Sequence, residues 1–332
     1  MRRNYYLLSP GKLKRKKNTV YYIKKTGDLE KVPLPIKKID AIHAFGSVEL
    51  NKKLLTFFSQ ERIPIHFYNY YGYYVGSYYP REYLHSGFLI VKQVKHYLDE
   101  DLRLEIAKEF VLGAMHNIRK NLEYYQRKGK DLADSLSEIK DQEKKVVSVH
   151  TIQELMGREG NIRRIYYPSF GKFLREPFKL SKRVYRPPDN MMNCLISFGN
   201  SLLYNSVLTE IYRTQLNPTI SYLHEPGDRR FSLSLDISEV FKPVIVDRLI
   251  FNLINKRKIN KTHFKKEMNF CHLTEKGKKT FIREWDKRLR VTVKHRRFKR
   301  HVSYKKLLRI ECYKLVRHLS GGSPYQGFRR WW

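Results

Sequence analysis

The chain has 332 residues, 41% of them hydrophobic, which is enough to bury a sizeable core and makes two domains the expectation. Lysine and arginine total 67 against 32 acids, a formal net charge of +35. This excess indicates a polyanionic partner, of which nucleic acid is the usual one; a ribosome-type or membrane-surface protein is the alternative.

The sequence carries no recognisable secretion or membrane signal. The apolar stretch from Tyr5 to Leu8 is too short for a signal-peptide core, and no run of 18 or more apolar residues occurs. The cysteines are few, odd in number and far apart along the chain; they are Cys194, Cys271 and Cys312. That pattern argues against a disulfide framework or a cysteine zinc site and favours a reducing cytoplasm.

Residues 1–80 predict a small β-rich domain. Short runs of β-branched and aromatic residues, such as Thr19 to Ile23 and Ile63 to Tyr68, are bounded by turn residues. One short helix is expected at 51–59. The stretch 68–83 holds eight tyrosines. Ordinary strand packing explains them, and stacking on bases is the alternative. A linker is expected at 81–86.

Residues 87–332 predict a larger, mostly α-helical domain, which makes the fold class α+β. Apolar residues that step by four mark one long helix: Leu102, Ile106, Phe110, Ala114, Ile118 and Leu122. Further helices are predicted over 140–166, 193–214, 239–255, 276–299 and 303–319. The tail 321–332 contains glycines, a proline and a closing Trp331-Trp332 pair, so a docked coil is expected there.

Glu159 is the first candidate for chemistry. On a helix it shares the apolar face of Leu155, Ile162 and their neighbours Ile152, Met156 and Tyr166. A carboxylate on such a face must be paired, metal-bound or protonated. The ordinary explanation is an ion pair with Arg163, one turn later. Gly157 and Gly160 weaken the helix, and a close backbone approach or a ligand would explain them.

His224 is the second candidate. It follows an extended run and precedes a Glu225-Pro226-Gly227 turn, where an imidazole is well placed to be a ligand. The alternative is a surface histidine beside its own glutamate.

Asp236 and Glu239 are the third candidate. Three residues apart on a helix, they face the same way. The competing explanation is a capping box, with Asp236 as N-cap and Glu239 as its partner. Together with Glu159 and His224 they would form an oxygen-rich site that suits Mg²⁺ or Mn²⁺. On a nucleic-acid-binding chain, such a metal would polarise a phosphate for transfer.

Residues 285–306 supply a basic segment with ten lysines and arginines among 22 residues. A solvated helix face is the ordinary explanation of a charge run, but a single acid against ten bases argues against it. Arginines interleaved with Trp285, Phe298 and Tyr304 suggest phosphate contacts combined with stacking.

Several motifs along the whole chain resemble the CRISPR-associated adaptation integrases, which acquire spacers in type I-like systems. They are SPGKLKRKKNTVYY at 9–22, LMGREGNIRRIYY at 155–167, RPPDNMMNCLISFGNSLLYN at 186–205, LHEPGDRRFSLSLDISEVFKP at 223–243, HLTEKGKKTFIREWDKRL at 272–289 and SYKKLLRIECYKLVRHL at 303–319. Their combination is specific, whereas each piece alone is weak.

The resemblance implies an N-terminal β-sandwich domain that forms a homodimer and a C-terminal α-helical catalytic domain. It implies a metal site at Glu159, His224 and Glu239, with Asp236 as a nearby catalytic acid. Members with aspartate at the Glu239 position are familiar, so the glutamate here is a departure that adds one methylene of reach. Asn193 and Asp189 are expected to support the site or the fold.

The resemblance also implies an antiviral-defence activity. Captured DNA fragments would be joined through their 3′ hydroxyls to a CRISPR repeat by metal-dependent transesterification, together with a small dimeric second adaptation protein. Nuclease activity on DNA, including branched DNA, is expected as well. Two alternatives stay open: a metal-dependent nuclease that repairs branched DNA without integration, and a non-catalytic nucleic-acid-binding protein.

Overall fold

The computed structural model describes residues 2–25, 30–81, 84–180, 182–185, 187–228, 231–268 and 270–332. The chain forms two compact units. The β unit comprises Met1–Tyr83 with Glu275–Ile282, and the helical unit comprises Leu84–Thr274 with Arg283–Trp332. The grouping of Glu275–Ile282 with the β unit differs from the prediction, which assigned 87–332 to one domain.

Up to residue 81, the described part of the β unit contains eight strands and one α-helix. In chain order they are β1 (Arg3–Leu7), β2 (Gly11–Lys16), β3 (Thr19–Lys24), β4 (Lys31–Pro35), β5 (Ile39–Ala44), β6 (Val48–Glu49), α1 (Lys52–Glu61), β7 (Ile65–Tyr68) and β8 (Tyr74–Tyr78). Asn51 caps α1, its side chain accepting the Leu54 N–H at 2.9 Å. This confirms the short helix predicted at 51–59.

The strands form two four-stranded sheets, with orders β1-β5-β7-β8 and β4-β3-β2-β6. In the first sheet β1, β5 and β7 run parallel and β8 antiparallel, while the second is antiparallel except for the β2–β6 pair. Along β2, buried Leu13 alternates with exposed Lys12 and Lys14, as a half-buried strand requires. Both sheets and α1 contribute to one core, which includes Leu13, Ile42 and Phe58.

The tyrosine-rich stretch divides between buried and exposed positions. Tyr68 is buried and stacks on Phe45 with ring centroids 4.2 Å apart, whereas Tyr70 is 71% exposed. Tyr83 and part of the predicted linker lie outside the described residues. Strand packing therefore accounts for Tyr68, and stacking on bases stays a prediction for the exposed members.

The elements after residue 84 are α2 (Gly87–Leu98), α3 (Glu100–Gln126), α4 (Ala133–Val147), α5 (Ile152–Ser169), α6 (Met191–Tyr212), α7 (Ser232–Phe241), α8 (Arg248–Asn255), β9 (Phe264–Glu267), β10 (Phe270–Leu273), α9 (Glu275–Arg290), β11 (Thr292–Lys294), β12 (His301–Ser303) and α10 (Tyr304–Leu319). All belong to the helical unit except the first half of α9, which is grouped with the β unit. A π-helical segment, Lys242–Asp247, joins α7 to α8. The order of a strand-rich part and a helical part confirms the α+β class.

Helix α3 lies at the centre of the helical unit. Its predicted apolar face is buried from Ile106 to Leu122, and it packs against α5 and α7. The single helix predicted at 140–166 is wrong, because α4 ends at Val147 and α5 starts at Ile152. The Thr151 hydroxyl accepts the Glu154 N–H at 3.2 Å, so a threonine cap begins the new helix.

The helix predicted at 276–299 is also wrong beyond Arg290. The β-branched run at 291–293 continues into β11, which pairs with β12 to form a hairpin. Residues 324–332 form a coil with buried Tyr325 and Phe328, which confirms the docked tail. Among the described residues, none of the helices combines the length and apolar character needed to span a bilayer.

Candidate functional site

Helix α5 places Glu159 at the edge of its buried face. Leu155, Ile162 and Tyr166 are buried as predicted, but Met156 is 37% exposed, and the Glu159 side chain keeps 23% of its surface accessible. Of the two explanations for Gly157 and Gly160, close approach of another part of the described chain is wrong, since a Cβ at either position would meet nothing within 4 Å, and a ligand stays a prediction. The helix surface around Glu159 is therefore open.

Arg163 connects Glu159 to a second carboxylate. Its Nε donates to Glu159 Oε1 at 2.7 Å, and its Nη2 donates to Glu239 Oε2 at 2.8 Å. The ordinary explanation for Glu159, an ion pair one turn along the helix, is therefore correct. It is also incomplete, because the same guanidinium holds Glu239, which lies 76 residues further along the chain on α7.

Glu239 is buried between cations. Lys242 donates to its other oxygen, Oε1. Burial by itself would raise the pKa of Glu239, but the Lys242 ammonium and the Arg163 guanidinium outweigh it and hold the pKa at about 2. Glu239 is thus ionised at neutral pH, and its charge is balanced by Lys242 and Arg163.

His224 is oriented by Asp236. The imidazole Nδ1 lies 2.7 Å from Asp236 Oδ1, so Nδ1 carries the proton and Nε2 has no hydrogen bond to a described residue. Burial by itself would lower the pKa of His224, but the hydrogen bond and charge of Asp236 raise it overall. A carboxylate behind an imidazole fixes the tautomer that presents Nε2 to a ligand.

Both carboxylate oxygens of Asp236 accept hydrogen bonds from the backbone of residues 222–224. Its Oδ2 accepts the N–H groups of Tyr222 and Leu223 at 2.7 and 3.0 Å, and its Oδ1 accepts the His224 N–H at 3.0 Å. The capping-box interpretation is wrong, since α7 already begins at Ser232 and both acids lie inside the helix. Asp236 holds the residues before the turn in place and positions His224.

Glu225 does not pair with His224. It accepts hydrogen bonds from Arg103 at 2.6 Å and from the Tyr97 hydroxyl at 3.0 Å. The alternative of a surface histidine beside its own glutamate is therefore wrong, and α2 and α3 anchor the His224 loop from the other side.

Two further ionisable groups near the site were not singled out from the sequence. Lys242 pairs with Glu239, and buried Asp247 accepts a hydrogen bond from the Tyr166 hydroxyl at 3.1 Å. Burial raises the pKa of Asp247 to about 6. The π-helical segment contains both residues and places Asp247 beside Tyr166 of α5, and no signal in the sequence predicts that segment. Only the Glu239–Lys242 spacing of three hinted at a pair.

Asn193 and Asp189 lie at the start of α6. Asn193 Nδ2 donates to Asp189 Oδ1 at 2.7 Å, and Arg183 donates to Asn193 Oδ1 at 2.9 Å. These contacts order the beginning of α6, which fits the expected supporting role in the fold.

The donor set has the chemistry of a hard divalent cation site: two carboxylates and an imidazole with Nε2 available. Within the described residues, no three His, Cys, Asp or Glu side chains lie close enough to hold one ion. Arg163 takes up the space between Glu159 and Glu239. A cation bound by both carboxylates would therefore have to take the place of this guanidinium fork.

The basic segment 285–306 is distributed over the end of α9, the β11–β12 hairpin and the start of α10. Trp285 and Tyr304 are buried, so the expectation that they stack on bases is wrong. Phe298 is 44% exposed and lies at the hairpin tip among arginines. The exposed part of the segment therefore includes the hairpin loop and also Lys287 and Arg290 at the end of α9.

Comparisons with known proteins agree with the motifs. The family model of the CRISPR associated protein Cas1 matches residues 5–287. A CRISPR-associated endonuclease Cas1 from Thermodesulfovibrio yellowstonii is 49% identical over 330 residues, 99% of this chain and 100% of that protein. The solved structure of TM1797, a Cas1 protein from Thermotoga maritima, is 45% identical, covers 97% of this chain and 98% of its own, and has a TM-score of 0.86.

More distant structures share the fold. A casposase bound to integration product has a TM-score of 0.85 and covers 99% of this chain and 93% of its own at 20% identity. A Cas6-RT-Cas1–Cas2 complex has a TM-score of 0.84 at 20% identity, covering all of this chain and 36% of the other. From the family model and the close relatives together, the chain belongs to the Cas1 family of CRISPR-associated proteins.

Proposed function

We propose that this protein is the integrase of CRISPR adaptation and joins DNA fragments to a CRISPR repeat by metal-dependent phosphoryl transfer. One observation carries the proposal. Two carboxylates from different helices, Glu159 and Glu239, both accept hydrogen bonds from the Arg163 guanidinium, and a charge on His224 helps to lower the pKa of Glu239. A divalent metal prefers such oxygen and imidazole donors.

Glu159, His224 and Glu239 would hold Mg²⁺ or Mn²⁺. The bound metal would supply Lewis acidity at the scissile phosphate. Asp236 keeps the His224 imidazole in the tautomer that leaves Nε2 available. Arg163, displaced from between the carboxylates, retains its charge near the site and would stabilise the phosphate.

The open surface beside Glu159 supports a large substrate. Gly157 and Gly160 lack side chains on the same stretch of α5, and a Cβ on either would point into open space. A sugar-phosphate backbone can therefore approach the helix closely. The net charge of +35 favours that approach through counterion release.

The partners also belong to the proposal. A homodimer through the β unit and a small second adaptation protein would complete the assembly. The solved Cas6-RT-Cas1–Cas2 complex, one chain of which shares the fold over 36% of its length, supports a partner of that kind. Light scattering of the purified chain, alone and with the partner, tests the assembly.

A strand-transfer assay tests the activity. Purified protein, partner and Mn²⁺ are mixed with a labelled fragment and a plasmid that carries a repeat. Joined product is expected for the wild-type protein and lost for Glu159→Ala. Cleavage of branched DNA without any joining would instead favour the repair nuclease, and no metal-dependent product at all would refute catalysis.

A further inference from the structure

A second cationic feature lies apart from the candidate metal residues. The β11–β12 hairpin, α10 and the tail 324–332 enclose a cleft of about 330 Å³. That volume lies at the lower end of the range for small-molecule sites. Neither Glu159, His224 nor Glu239 lines it.

The cleft wall is strongly basic. Arg296, Arg297 and Arg317 line it, are exposed and form no ion pair with a described residue. The one acid in the wall, Glu311, is already satisfied: Lys314 donates to its Oε2 at 2.6 Å, and the Tyr325 hydroxyl donates to its Oε1 at 2.7 Å. The wall therefore attracts anions without a competing free carboxylate.

Aromatic groups complete the wall. His295 stacks on Phe298 with ring centroids 4.4 Å apart and meets Trp331 edge-on at 5.3 Å. The Phe298 N–H donates to His295 Nδ1 at 3.2 Å, which leaves the imidazole proton on Nε2. Burial and neighbouring cations lower the pKa of His295, so the ring is neutral and apolar enough to stack. Aromatic rings beside arginines are the composition that binds a base together with its phosphate.

Hydrogen bonds within the protein order the cleft wall without a ligand. Besides the tyrosine contact, Glu311 Oε1 accepts the Phe328 N–H at 2.8 Å, and the Gly327 N–H donates to Glu109 Oε2 at 2.9 Å. Trp331 Nε1 donates to the Lys294 carbonyl at 3.2 Å, which fixes the tail to the hairpin. Little ordering entropy is thus lost when a ligand enters.

We infer that this cleft binds one nucleoside monophosphate unit of an unpaired strand, with the base against Trp331 and the phosphate among Arg296, Arg297 and Arg317. The inference rests on the proposed function only in the choice of nucleic acid as ligand. It requires neither the metal nor strand transfer, so binding is measured in EDTA.

Quenching of tryptophan fluorescence by a ten-residue oligothymidylate tests the inference. The Arg296→Ala/Arg297→Ala protein is expected to bind about 10-fold more weakly, and the slope of log affinity against log salt should shrink by about 1.4. Lys128→Ala/Lys130→Ala removes the same charge from exposed positions outside the cleft and is the matched control. Equal affinity of the two double variants would overturn the inference.

A second pair of variants tests stacking. Trp331→Phe is expected to retain binding of the oligonucleotide, measured by anisotropy, whereas Trp331→Leu loses roughly 5- to 100-fold. An equal loss of affinity in both variants, with unchanged melting temperatures, would show that no base stacks on Trp331. Titration with thymidine monophosphate distinguishes the source: saturation at micromolar concentration identifies a free nucleotide and contradicts a strand, while binding of the oligonucleotide alone supports the strand.

Discussion

The imidazole Nδ1 of His224 and the carboxylate Oδ1 of Asp236 lie 2.7 Å apart, although the two residues are twelve positions apart along the chain. The same carboxylate accepts the backbone N–H groups of Tyr222, Leu223 and His224. Asp236 thus determines both where His224 lies and which of its nitrogens is available.

Asp236→Asn should therefore weaken the candidate metal site indirectly, because it disturbs the group that positions His224. The amide NH₂ group would face N–H donors, so the free energy of unfolding should fall by about 1–3 kcal/mol. Metal affinity should fall by roughly 10- to 100-fold, as for other groups that support a ligand. Chemical denaturation and Mn²⁺ titration measure the two effects. Unchanged metal affinity would mean that His224 does not depend on Asp236.

Glu159→Gln should abolish metal-dependent turnover with little change in folding. The side chain is partly accessible, so the amide is tolerated, but it lacks the charge that a divalent cation needs. Activity should fall by more than the roughly 100-fold loss expected for a supporting group. Glu138→Gln, an exposed acid on α4, is the matched control. Wild-type turnover in Glu159→Gln would contradict its assignment as a ligand.

Gly157→Ala should separate stability from activity. Because its Cβ would meet nothing within 4 Å, alanine should stabilise α5 by about 0.5–1 kcal/mol. If the DNA backbone passes close to this surface, strand transfer should nevertheless fall several-fold. The melting temperature and the turnover are measured on the same sample, with Gly87→Ala as control. A more stable protein with undiminished activity would show that DNA stays away from α5.

Asp247→Asn should change how stability depends on pH. Burial raises the pKa of Asp247 to about 6 from an ordinary value of 3.8, so the folded protein binds this proton more tightly than the unfolded chain. The stability that this group contributes is complete below about pH 4 and is lost as the pH rises through 6. Over that pH window, the free energy of unfolding of the asparagine variant should rise relative to that of the wild-type protein, on the scale of about 1.4 kcal/mol per pKa unit. If the melting temperatures of the two proteins depended on pH in the same way, the raised pKa of Asp247 would be refuted.

Gly327→Ala should detach the tail. A Cβ at this position would lie 2.1 Å from the Glu109 carbonyl oxygen on α3, and backbone cannot yield as a side chain can. We expect a loss of roughly 1–3 kcal/mol in unfolding free energy and faster proteolysis of residues 324–332. Gly171→Ala, whose nearest neighbour is a lysine side chain at 3.6 Å, is the comparison. Equal stability of the two variants would show that the tail is not fixed here.

The sequence by itself determined the periodic parts of this protein. The strand-rich start, the apolar face of α3 and the coil at the end all follow from local patterns of apolar and turn residues. The sequence also identified the residues of the candidate site, because these polar residues interrupt apolar or turn patterns in ways that need an explanation. They are Glu159, His224, Asp236 and Glu239.

Only the tertiary structure decided what these residues do. The Asp236–Glu239 spacing fits a capping box as well as it fits a site, and the difference lies in the backbone N–H groups at 222–224, which folding alone brings to Asp236. In the sequence, Arg163 is an ordinary ion-pair partner for Glu159 one turn away. In the structure, α7 also places Glu239 beside it. Trp285 and Phe298 have similar basic neighbours in sequence, yet one is buried in the core and the other lies on a hairpin tip. Local pattern fixes period and turn, whereas burial and pairing depend on contacts between segments far apart in the chain.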